Sequence, residues 1–84
     1  MYYVYILNSE SFPSNYYTGL TSDLKDRIAR HNREEVRSTS RYVPWKIIFY
    51  CAFPNRELAA KFESYLKSGS GRAFISKHLI EKQV

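Results

Sequence analysis

Apolar and polar positions fall in blocks along this chain. From Tyr2 to Leu7 every residue is aromatic, β-branched or leucine, which predicts a buried or half-buried strand. Asn8 to Asn15 interrupts the run with Pro13 and scattered serines, and strand character returns from Tyr16 to Leu20, where Gly19 loosens the backbone. The two runs predict an antiparallel hairpin with a long loop. Thr21, Ser22 and Asp23 then compete as N-caps, and Leu24, Arg27, Ile28 and His31 recur at i, i+3, i+4 and i+7. That spacing predicts a first helix over Asp23–Asn32.

Arg33–Pro44 has no period and carries Ser38, Thr39, Ser40 and the pre-proline Val43, so it predicts a loop, long for so small a domain. Trp45–Phe53 is an almost unbroken apolar run and predicts a strand at the centre of the sheet. Pro54 and Asn55 end it and cap a second helix with an apolar stripe of Leu58, Phe62, Tyr65 and Leu66 and with Gly69 as a left-handed stop. Ser68–Gly71 reads as a flexible turn, and from Arg72 onward Phe74, Ile75, His78 and Leu79 suit a short third helix. The order β-β-α-β-α-α, opening on a hairpin, predicts an α/β domain of the α+β kind: a three-stranded antiparallel sheet flanked by helices, and not a doubly wound fold.

At 84 residues one domain is expected, spanning 1–84, with its core drawn from 8 tyrosines, 5 phenylalanines and Trp45. Cys51 is the only cysteine, which excludes a disulfide framework and a Cys/His zinc module and suggests a reducing compartment. The tyrosine-rich start lacks the basic flank and apolar stretch of a signal peptide, and no run approaches the roughly 20 apolar residues of a membrane span. A cytoplasmic location without a membrane partner is expected; the pattern carries no signal for an oligomeric state.

Charge alters the picture. Lys and Arg outnumber Asp and Glu by 13 to 8, for a formal charge of +5, and the segment Lys25–Lys46 concentrates the excess. Its Arg30, Arg37, Arg41 and Lys46, with Arg72 further on, are candidate nucleic-acid contacts, because clustered cations bind polyphosphate by releasing counterions. A solvated face is the plainer role of such a stretch.

Arg27 and His31 lie on the helix side that carries Leu24 and Ile28, where apolar groups are the rule. Arg27 snorkelling from a core edge and His31 capping the helix end explain them plainly; a phosphate site, with guanidinium neutralising charge and imidazole relaying a proton, explains them chemically. Glu63 borders the stripe of the second helix beside Ala59 and Leu66, whereas Asp23 and Asp26 suit helix-dipole partners. Glu63 is thus the candidate ligand for one hard cation completed by water and phosphate oxygens. Tyr5 and Tyr17 fall on adjacent predicted strands, and a phenol beside a cation and a metal loses its proton more readily than its ordinary pKa of about 10 implies. Strand tyrosines are mostly packing.

Together, Tyr3-Val4-Tyr5, Tyr17-Thr18-Gly19, the ten-residue step from Tyr17 to Arg27, the Arg27/His31 pair and the later Glu63 resemble the GIY-YIG nuclease family, especially its small stand-alone bacterial members, over nearly the whole chain. The resemblance implies an endonuclease with one divalent ion, Mg²⁺ or Mn²⁺, on Glu63 and in-line attack of water on a phosphodiester. It implies Tyr5 as general base, Tyr17 positioning or sharing that proton, Arg27 stabilising the phosphorane and His31 orienting the tyrosines. It also makes Tyr42 similar to an aromatic or His position near the scissile phosphate. Two departures stand out: Tyr3 replaces the first glycine, and no asparagine follows Glu63, the segment Gly69–Phe74 offering only Ser70 and Arg72. With no room for an attached recognition domain, the partner implied is DNA, in preference to RNA, recognised by structure in repair or processing. The alternative is a catalytically silent nucleic-acid-binding module of the same fold, which would present tyrosine ring faces for base stacking.

Overall fold

The first apolar run becomes β1, Tyr2–Ser9, and in the computed structural model, which describes residues 1–80, it lies between two partners. The last four positions of the unit expected over 1–84 lie outside the described residues. β2, Tyr16–Thr21, and β3, Trp45–Phe53, flank β1 antiparallel in the order β2-β1-β3. Helix α1, Leu24–Asn32, covers one face of the sheet; α2, Arg56–Leu66, and α3, Gly69–His78, cover the other. The expected α+β architecture and element order are both present.

Period-two alternation along β1 divides the core. Val4 and Ile6 point to α2 and α3 and pack with Ala59, Leu66 and Ile75. Tyr5 and Leu7 point to α1 and pack with Trp45, Tyr17, Leu24 and Ile28. Full burial of an aliphatic side chain contributes about 1.5–3 kcal/mol, so a strand buried on both faces is the anchor of so small a domain.

Four expectations are corrected. β3 is an edge strand rather than the central one, with Lys46, Ile47 and Tyr50 exposed. Both β1 and β3 are apolar runs, and periodicity alone cannot say which receives partners on two sides. Arg33–Pro44 is not wholly irregular: Arg37–Tyr42 forms a 3-10 turn that buries Thr39. Gly69 is no left-handed stop, since no glycine has positive φ among the described residues. Ser68–Gly71 is not a flexible turn either. The Ser68 hydroxyl accepts from the Gly71 N–H at 3.1 Å and caps α3, which therefore starts before Arg72. A β-carbon at Gly71 would overlap the Tyr65 carbonyl and Leu66 Cα, so this glycine serves the close approach of α3 to α2.

The stop that does use positive φ ends α1. Glu34, φ 62°, donates its N–H to the His31 carbonyl at 3.1 Å, and Glu35 N–H reaches the Arg30 carbonyl at 3.0 Å. These are the paired bonds of a Schellman motif, with glutamate in the place that favours glycine.

Candidate active site

Strand register brings the tyrosines together. Tyr17 stands opposite Leu7 and Gly19 opposite Tyr5, so both phenols occupy the α1 face, diagonally related, with ring centroids 6.3 Å apart. Asp23, its carboxylate accepting from Asp26 N–H at 3.1 Å, caps α1 and sets its start. Arg27 and His31, one turn apart, then face the same tyrosines. The His31 ring is fully buried, with its centroid 5.0 Å from that of Tyr17 and 5.8 Å from that of Tyr5. It is not an exposed cation at a helix end.

Gly19 makes this packing possible. A β-carbon there would overlap the Tyr5 hydroxyl and ring and press on the Tyr17 ring, so the missing side chain is the space through which Tyr5 crosses β2. The backbone is ordinary at this position; the requirement is for room.

The Tyr5 hydroxyl lies 2.9 Å from His31 Nε2, and the other ring nitrogen, Nδ1, lies 2.8 Å from Thr39 Oγ1. Burial and, secondarily, the Arg27 charge lower the His31 pKa to about 4, so the imidazole is neutral at physiological pH. Burial pushes the Tyr5 phenol up, and the Arg27 guanidinium beside it opposes that shift without overcoming it. With Arg27 as its neighbouring cation, the Tyr5 phenol is harder to ionise than a free one, because its hydroxyl is desolvated more strongly than the cation compensates; the expectation of a readily ionised phenol concerned one beside a metal as well. Arg27 is itself raised by its contact with Tyr5 and, less, with Tyr17. The larger part of that effect is hydrogen bonding to the Tyr5 oxygen and the smaller part charge, while the phenol also pairs with His31 Nε2.

Glu63 approaches from the other layer. α2 packs against β2 as well as β1, and the Glu63 charge is one of the influences raising Tyr5. The cluster thus sits at the β2 edge, where side chains of both layers meet. The Glu63 side chain is 23% exposed, and Lys67 Nζ donates to its carboxylate at 3.2 Å. Among the described residues no three His, Cys, Asp or Glu side chains gather into a metal-ligand group. A lone, half-buried carboxylate fits one hard divalent cation completed by water and phosphate oxygens; it fits neither a zinc centre nor a two-metal site.

The candidate nucleic-acid contacts are dispersed over the surface, with Arg72 beside β2 and Lys46 on β3 at the opposite edge of the sheet. Arg37 and Arg41 are exposed on the 3-10 turn, the Arg41 guanidinium standing 5.6 Å from the centroid of the Tyr42 ring. Tyr42 itself is packed edge-on against Phe12 and Trp45 instead of presenting its ring to solvent. Arg30 is exposed but paired with Asp26 at 2.8 Å, and Lys46 is exposed on β3. Arg72 joins Lys67, Tyr16, Tyr17 and Thr18 around an open groove beside β2. Arg27, His31, Tyr5 and Tyr17 are brought together and the Glu63 charge reaches them, whereas the surface cations do not gather at one place.

Two contributors escaped sequence reasoning. Thr39 lies in a segment without periodicity, and nothing in its neighbourhood marks it as the partner of a histidine eight residues earlier. Asn32 accepts from Trp45 N–H at 2.6 Å and donates to the Trp45 carbonyl at 3.0 Å, tying α1 to β3, and only the fold brings those residues together.

Residues 1–77 match the family profile described as the GIY-YIG catalytic domain. The chain belongs to the GIY-YIG family, which implies the nuclease class and a nucleic-acid substrate. Within it, UPF0213 proteins of Streptococcus pyogenes serotypes M3 and M1 are each 35% identical over 86 residues, covering 96% of this chain and 91% of theirs. The UPF0213 protein BH0048 of Bacillus halodurans, known from a solution NMR structure, is 30% identical with a TM-score of 0.55, over 94% of this chain and 87% of its own.

Proposed function

We propose that this chain is an endonuclease that hydrolyses nucleic-acid phosphodiesters with one Mg²⁺ or Mn²⁺ ion, acting on nicked, branched or flapped DNA in preference to RNA, in DNA repair or processing. The observation that carries this reading is the 2.9 Å bond between the Tyr5 hydroxyl and His31 Nε2, with Tyr17 and Arg27 gathered around it. A buried hydroxyl held by an imidazole and a guanidinium is arranged for proton transfer. It is not arranged for stacking, because Tyr5 is only 1% exposed and offers no ring face to a base. That burial disfavours a silent binding module.

In this reading Tyr5 enters the reaction as a phenol. Water attacks phosphorus and passes a proton to the Tyr5 oxygen while the Tyr5 proton moves to His31 Nε2; the new P–O bond forms as the bond to the leaving oxygen breaks, that oxygen takes up a proton from solvent, and His31 afterwards returns its own to solvent. Arg27 pairs with the developing phosphorane charge. The same pairing neutralises the guanidinium, one of the two influences that lower the His31 pKa, so substrate binding raises the proton affinity of the relay's end. Glu63 would hold the divalent ion, which when bound supplies charge neutralisation at the phosphate. Exposed cations such as Arg37, Arg41 and Arg72 suit contact with a phosphate backbone without reading bases, which supports selection of a substrate by its shape.

Glu63→Gln tests the reading, because it keeps size and helix propensity and removes the charge. A folded protein of nearly parental melting temperature, with weakened divalent-metal binding and metal-stimulated cleavage reduced at least ~100-fold, is expected on nicked and branched DNA. Cleavage at the parental rate would refute the assignment.

A further inference from the structure

Both ring nitrogens of a fully buried imidazole are engaged, and the donors and acceptors around them determine where its single hydrogen sits. Tyr5 has the Arg27 guanidinium on one side, and a guanidinium donates only, so the phenolic hydrogen has to go to an acceptor. The aligned partner is His31 Nε2 at 2.9 Å, which must then be the unprotonated nitrogen. At the far side the Thr39 hydroxyl donates to the Val36 carbonyl at 3.2 Å. Its oxygen is left to accept from Nδ1 at 2.8 Å. The Tyr5 end calls for the proton on Nδ1, the Thr39 end is satisfied by it, and no buried side-chain polar atom is left without a partner among the described residues.

Thr39 is itself held from several sides. Its N–H reaches the Val36 carbonyl at 3.1 Å, its own carbonyl accepts from the Trp45 indole N–H at 3.0 Å, and its side chain is 1% exposed. These contacts hold the Thr39 oxygen in place beside the imidazole. It also lies on the same short turn as Arg37 and Arg41, so the segment that presents those cations to solvent carries at its centre the group that orients the imidazole.

We infer that Thr39 is a positioning residue: by accepting the Nδ1 hydrogen it holds His31 in the tautomer whose Nε2 lone pair receives the Tyr5 proton, and it joins the basic 3-10 turn to that relay. The catalytic consequence rests on the nuclease reading; the tautomer does not. Thr39→Val keeps the shape of the side chain and removes its hydroxyl, leaving a buried Nδ1–H without a partner and lifting the preference for that tautomer. Thr39→Ser restores the hydroxyl.

Long-range ¹H–¹⁵N spectra of the histidine rings, recorded on the intact protein near pH 7, read the tautomer directly. The parent and Thr39→Ser proteins are expected to show His31 with a protonated Nδ1 and an unprotonated Nε2, and Thr39→Val to show a mixture or the reverse. In parallel, kcat for cleavage of nicked and branched DNA is expected to fall about 10- to 100-fold in Thr39→Val, with KM within about twofold, and to recover in Thr39→Ser, the range typical of lost outer hydrogen bonds that orient a reactive side chain. A parent protein with its proton on Nε2, or a folded Thr39→Val protein with ring-nitrogen shifts identical to the parent's, overturns the inference. If Thr39→Val does not fold, the parent and Thr39→Ser spectra decide. If the parent cuts no nucleic acid, the nuclease reading fails, and the spectra still judge Thr39.

Discussion

At Gly19 the structure reverses an ordinary substitution rule. An alanine usually gains a little over glycine in a strand, because glycine loses more backbone freedom on folding. Here a β-carbon would occupy the space of the Tyr5 phenol, so Gly19→Ala is expected to destabilise by about 1–3 kcal/mol, the range for overpacking, and to reduce cleavage along with it. Thermal denaturation showing a gain in stability would mean that Tyr5 does not cross β2 at this point. His31 offers a second residue-level test. Its folded pKa of about 4 lies below its ordinary 6.5, so between those values the unfolded chain binds a proton that the native state refuses. Stability tied to His31 is complete above pH 6.5, declines as pH falls toward 4, and stops declining below that. Between pH 7 and pH 5 the loss amounts to about 2 kcal/mol. Urea denaturation at those two pH values is expected to show it in the parent and not in His31→Gln.

Among the elements, the end of α1 is built under strain. Glu34 adopts a left-handed conformation that costs a non-glycine residue about 1–2 kcal/mol, offset in part by the extra freedom glycine regains on unfolding. Glu34→Gly is therefore expected to raise stability by about 0.5–1 kcal/mol without altering cleavage, measured by chemical denaturation. A loss of stability would show that the Schellman geometry is not what ends the helix. The element matters to the candidate site because the carbonyl that receives Glu34 N–H belongs to His31, so the stop and the Tyr5–His31 cluster share a residue.

For the whole molecule the cations are the accessible test. With both Arg37 and Arg41 changed to alanine, affinity for DNA is expected to fall at every sequence, and the slope of log K against log salt to become shallower by ~2, since each phosphate contact contributes about 0.9. Fluorescence anisotropy across a salt series measures it. An unchanged slope would place the DNA elsewhere on the surface.

How much of this was legible beforehand follows the range of the interactions. Helix α1 and the Asn55 cap of α2 depend on neighbours within one turn, and the residue pattern carries them directly. Tyr5, Tyr17, Arg27, His31 and Glu63 were legible as a spaced set, because register and helical period turn their spacing into nearness. Which strand lies at the centre was not legible. β1 and β3 are equally apolar, and burial on two faces depends on what packs above and below. Thr39 was equally silent: a threonine in an aperiodic basic segment becomes the partner of a buried imidazole only when the 3-10 turn closes over α1. The sequence by itself determined the strands, the main helices, their order and the candidate side chains, because local backbone preference and side-chain chemistry act over a few residues. Only the tertiary structure decided the sheet order, the room at Gly19 and the direction of the Tyr5–His31–Thr39 hydrogen bonds, because those depend on contacts between residues far apart in the chain and on the exclusion of water around them.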